Sequence, residues 1–464
     1  MSDLPFGFGL PDRDDEGQDK DPARRGQPAD PFGFGALFGG AGAGAGNPEE
    51  LLAKMPLFAE LQKLMNWSGG PVNWDLARQG AISQLAAGHQ PTSEAERAAV
   101  AEALRLADLW LDQATDLPSG VDRALAWSRV EWVEQTLPAW SALIDPLAER
   151  VVAAMTSALP QEAASMMGPI AGMMGRMGGM MFGAQVGQAL GKLADEVLTS
   201  TEVGLPLAPS GAGVLVPQNV EEFAAGLDRP IDEVRLFLAL REAASQRLFA
   251  HVPWLRQQLT DAVHAYARGI TVDRDAIERG IAEAMGGMEG GIDPSDPETL
   301  QRLLPALEPE ETPEQQMALR RLETLLALVE GWVDTVVAAA ASQRLPGYAA
   351  LAETMRRRRA SGGPAEQTFA TLVGLQLRPR RLRDAATVWA AMGQQRGPEE
   401  RDRLWSHPDL LPTSEDLDEP MDFVARQGMD DELSALTAEE PPAKPDDEDK
   451  PDDKPDDEAG PSPA

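Results

Sequence analysis

The sequence predicts a mainly α protein with a small antiparallel β element. Apolar residues recur at spacings of three and four through residues 50–66, 72–88 and 92–115, and helical patterns continue over 121–158, 254–268 and 312–341. The only β-prone runs are Val203–Leu207 and Gly213–Val216, joined by a Pro/Ser/Gly turn that reads as a hairpin. The chain has 464 residues, 43% hydrophobic and 25% charged, enough for a sizeable core at roughly 100–200 residues per domain.

The elements follow in order. Residues 1–46 repeat Pro-Phe-Gly-Phe-Gly at Pro5–Gly9 and Pro31–Gly35 and then run into Gly/Ala, a composition expected to stay disordered. Residues 47–200 form a helical N-terminal region. Within it Thr92 and Glu94–Glu96 open a long Ala/Leu helix, and Trp110, Trp127, Trp132 and Trp140 read as core anchors. From Gly168 to Gly191 glycines recur at steps of three and four, which places them in one stripe on a helix. Each costs a helix about 1 kcal/mol relative to alanine, so the stripe implies close approach of another helix backbone. In residues 201–425 the hairpin precedes a helix capped by Asp228 with Pro230 in its first turn, and Gly286–Pro297 reads as a loop. Residues 426–464 make an acidic, proline-rich tail expected to be extended and disordered.

Charge and composition exclude several functions. With 41 Lys+Arg against 75 Asp+Glu the net charge is −34, which repels polyanions and argues against general nucleic-acid or anionic-membrane binding. The absence of cysteine removes disulfides, thiolate metal sites and Cys nucleophiles. Only His89, His251, His264 and His407 remain as imidazoles. No signal sequence and no charge-free apolar run long enough to span a bilayer is evident, so the expected location is cytoplasmic. No nucleotide-binding glycine loop follows a strand, and no Gly-x-Ser-x-Gly elbow occurs.

Five segments together resemble the zincin-like zinc-dependent metalloproteases found mainly in actinobacteria and often labelled hydrolases. They are Gly70–Arg78, the Gly/Met helix, Arg241–Leu255, Leu328–Asp334 and Arg356–Leu382, and the resemblance covers roughly residues 50–425. It implies a zincin-like metallopeptidase fold and a His-Glu-x-x-His helix, whose two imidazoles bind Zn²⁺ while the glutamate acts as general base. Here the matching pentad is Arg241-Glu242-Ala243-Ala244-Ser245. The resemblance makes Glu242 the general-base position and Glu330 the third-ligand position, with Asp334 one turn further on.

Both imidazole positions are replaced. A guanidinium has no lone pair for a metal, a serine is a poor zinc ligand, and one carboxylate does not substitute for three protein ligands. The expected outcome is a degenerate zincin, an interaction or scaffold protein with no cofactor, in which Arg241 and Glu330 form a structural pair and both family positions are vestigial. The alternative is an active zinc-dependent hydrolase with an atypical site near Glu242 and Glu330, drawing on both His251 and His264. Residues 356–383 carry eight arginines and one acid, Glu366. This basic segment is expected to pair with the acidic surface of its own domain, with the acidic tail, or with an anionic partner. Beyond it, an unidentified protein partner is expected.

Overall fold

Asn73 opens the first described helix of the computed structural model, which describes residues 70–157, 168–269, 312–360 and 380–428. Its side chain accepts the amide of Leu76 (3.0 Å), supplying an acceptor to a helix start whose N–H donors have none, and α1 runs Trp74–Leu85. Ser93 and Glu96 then form a reciprocal capping box for α2 (Glu94–Leu111). Strand β1 (Arg123–Ala126) leads into α3 (Arg129–Ser157) and α4 (Gly168–Glu196). After β2 (Ala212–Leu215) come α5 (Pro217–Ala225), α6 (Ile231–His251) and α7 (Pro253–Arg268). The set closes with α8 (Pro313–Ala341), α9 (Tyr348–Ala360) and α10 (Arg380–Arg403). The predicted helix over residues 50–66, the predicted loop Gly286–Pro297, the N-terminal tail and the C-terminal tail beyond residue 428 lie outside the described residues, whereas residues 426–428, expected to begin that tail, end a helical turn.

The sheet corrects the sequence reading. It is small, as expected, but parallel: β1 pairs with β2 in the register Arg123↔Ala212 to Ala126↔Leu215, with α3 and α4 in the crossover. No hairpin forms. Val203–Leu207 is a buried loop, and the only antiparallel pairing among the described residues is the single bridge Thr199↔Leu215. Arg-Ala-Leu-Ala at β1 has little intrinsic strand preference; it is extended because β2 offers it a partner. At α6 the N-cap is Pro230 rather than Asp228, with no side-chain cap bond.

Helix α4 lies against α1, and the glycine stripe is the reason it can. A β-carbon at Gly183 would stand 2.5 Å from the Asn73 carbonyl oxygen, and one at Gly187 would stand 2.6 Å from that of Ala77. The Asn73 amide donates to the Gly179 carbonyl (2.9 Å), so the two backbones touch directly. Trp127, Trp132 and Trp140 are buried in the core, whereas Trp110 is half-buried beneath the Arg344 guanidinium.

At the centre stands α6. Every residue from Phe237 to Phe249 is buried, with α2, α8, β2 and α5 packed around the helix. Helix α8 is similarly enclosed; its composition and length would suit a membrane span, yet most of it is core. Helix α10 bends at Gly397 (φ 86°) ahead of Pro398, a left-handed conformation that only glycine adopts without strain, and the bend returns Arg401 to the core.

Candidate functional site: an ion-pair cluster on the central helix

A helix buried on all sides normally carries apolar residues. In α6 the buried stretch includes Arg241, Glu242, Ser245, Gln246 and Arg247, and each such group needs a partner to offset its lost hydration. The partners define the site.

Arg241 points at α8. Its guanidinium bonds Glu330 Oε2 at 2.8 Å and also bonds Asp334, one turn further along α8. From the other side Arg359 of α9 bonds Glu330 and lies 3.8 Å from Asp334. Two cations and two carboxylates thus interleave, with the Arg241 and Glu330 side chains each 10% exposed and Asp334 30%. Burial acts to lower the Arg241 pKa, but Asp334 and Glu330 outweigh it and hold the guanidinium above its usual value. Burial likewise acts to raise the Asp334 pKa, and Arg241 and Arg359 outweigh it, keeping that carboxyl below the usual range. Tyr348 at the edge is pushed up by burial and by the Asp334 charge.

Glu242 faces the opposite way. It is fully buried and accepts from Ser200 Oγ (2.6 Å), Thr201 Oγ1 (2.6 Å), the Thr201 amide (3.2 Å), the Val214 amide (3.1 Å) and Gln246 Nε2 (3.0 Å). Five donors fill the roughly four lone-pair sites of a carboxylate. The Val214 amide lies on the outer edge of β2, so Glu242 completes a sheet edge that no third strand among the described residues covers.

The sequence reading placed Glu242, Arg241, Ser245 and Glu330 together. The structure brings Arg241 to Glu330, while Ser245 donates to the Arg241 carbonyl (3.0 Å) and Glu242 bonds the loop at residues 200–201 and β2. Sequence reasoning missed Arg359, which the run Arg356–Arg359 left indistinguishable from its neighbours, and it noted Asp334 without giving it a partner. The histidines lie elsewhere: His251 contacts the Ser119 carbonyl (3.1 Å) and His264 the Ala142 carbonyl (3.3 Å). Among the described residues no three His, Cys, Asp or Glu side chains gather as a metal site. At the positions that the resemblance matches to the motif, the donor set does not fit zinc: a guanidinium and a hydroxyl stand first and last in the pentad, and the carboxylates of Glu330 and Asp334 are held by arginines.

Residues 72–424 match the sequence model of the zincin-like metallopeptidase family, about three quarters of the chain, and the chain belongs to that family. Among solved structures it is similar to a Chloroflexus aurantiacus protein described as a "putative hydrolase with a novel fold", at 20% identity and a TM-score of 0.55, over 77% of this chain and 99% of the other. At that identity the likeness shows a shared fold. No curated protein matches the chain.

Proposed function

We propose that this protein is a zincin-fold member that has exchanged its metal centre for an ion-pair cluster and serves as a non-catalytic interaction or scaffold protein. The observation that carries this reading is the Arg241 guanidinium bonded to both Glu330 and Asp334, a fixed positive charge at a motif position where the family places a metal ligand. Glu242 supports it, because a carboxylate committed to five internal donors has no free lone pair to accept a proton from water.

Elemental analysis of tag-free full-length protein, with turnover of a fluorogenic peptide library by wild type and Glu242→Gln, tests the proposal. The expected result is substoichiometric zinc and identical background rates for both proteins. One zinc per chain with turnover abolished by Glu242→Gln would establish the active hydrolase instead.

A further inference from the structure

Six guanidiniums from three helices line one cavity of about 950 Å³: Arg241 of α6, Arg356, Arg357 and Arg359 of α9, and Arg383 and Arg401 of α10. Among the described residues only two carboxylates, Asp334 and Glu353, line it with them. Arg241 and Arg359 are committed to the α8 pair, and Arg401 to Asp402 (2.7 Å). Arg356 (3.0 Å) and Arg357 (2.8 Å) share Glu353. Arg383 is exposed and has no ion-pair partner among the described residues. Facing these cations is an apolar wall that includes Phe237, Val337, Leu382, Ala386 and Ala390.

We propose that this cavity binds an organic anion that has a phosphate or carboxylate head and an apolar body. Guanidinium forks match the paired oxygens of either head group, and Arg383 with the shared Arg356 and Arg357 leaves positive charge uncompensated at the wall. The volume lies within the roughly 300–1,000 Å³ of small-molecule sites. A bare inorganic anion would leave the apolar wall wet. A nucleic acid is disfavoured by the chain's net charge of −34 and by the concave, partly apolar lining. The proposal stands on the cavity alone and does not depend on whether zinc binds.

Calorimetric titration of the full chain with octyl phosphate, octanoate, octyltrimethylammonium and inorganic phosphate tests it. The expected result is one saturable site for at least one of the two octyl anions, the tighter of them identifying the head group. Arg383→Ala removes a charge and Ala390→Trp fills the cavity, and each should weaken binding about tenfold or more without moving the melting temperature. Arg383→Lys should retain part of the affinity. The proposal is overturned if neither octyl anion binds, if both variants bind like wild type, or if the ammonium or inorganic phosphate binds as tightly as the octyl anions. Binding that appears only after Asp446, Asp447 and Asp449 are changed to Asn assigns the cavity to the acidic tail and overturns it too.

Discussion

Arg241 sits between two carboxylates, and Arg359 makes its removal a test of charge balance as well as of a single bond. Arg241→Met leaves Glu330 and Asp334 facing Arg359 alone, so one negative charge is stranded in a largely buried site. Breaking a buried pair in this way costs about 3–5 kcal/mol. Arg241→Met with Asp334→Asn leaves one cation and one carboxylate, and that double variant should be more stable than Arg241→Met despite carrying more changes. Urea unfolding of wild type, both single variants and the double variant measures the coupling; strictly additive losses would dissolve the cluster as an energetic unit. How legible this was in the sequence differs by residue. An arginine aligned with a ligand position, with acids expected opposite, pointed to the Arg241–Glu330 pair. The role of Glu242 was illegible, because four of its five donors come from Ser200, Thr201 and Val214, some 28 to 42 residues away, and depend on how β2 docks against α6.

At the level of elements, the two glycine-bearing helices give opposite expectations for the same substitution. Gly187 on α4 has no room: its β-carbon would meet the Ala77 carbonyl at 2.6 Å, so Gly187→Ala should separate α4 from α1 and destabilise the fold. Gly80 on α1 has room, its nearest neighbour being the Gly187 α-carbon at 3.9 Å. There the helix preference of alanine dominates, and Gly80→Ala should stabilise by about 0.5–1 kcal/mol. Thermal melts of the two variants decide the matter; a Gly187→Ala protein as stable as wild type would refute close backbone packing. The periodicity of the stripe made this contact readable in advance, since steps of three and four define a face whatever that face meets. Strand β1 had no such signal. Four residues with alanine at two positions carry too short and too weak a period, and only pairing to a segment nearly ninety residues away makes them extended.

For the whole molecule, the acidic excess and the buried cluster respond to acid in opposite directions. As pH falls from 7 toward the carboxylate range, exposed acids take up protons, the charge of −34 relaxes, and self-repulsion in the compact state diminishes. Asp334 works the other way. Its pKa in the folded chain lies below the unfolded value of about 3.9, so between those two values the unfolded chain binds more protons and stability falls as pH falls. The contribution of Asp334 is therefore complete above pH 4, shrinks below it, and is gone once pH drops beneath the folded value. Asp334→Asn removes that contribution at every pH. Urea unfolding of both proteins across pH 7 to 3 should show a wild-type advantage that is constant down to about pH 4 and narrows below it. The narrowing starts at the unfolded pKa however low the folded value lies, so an advantage unchanged at pH 3, or one already lost by pH 5, would contradict the depressed value that Arg241 and Arg359 impose.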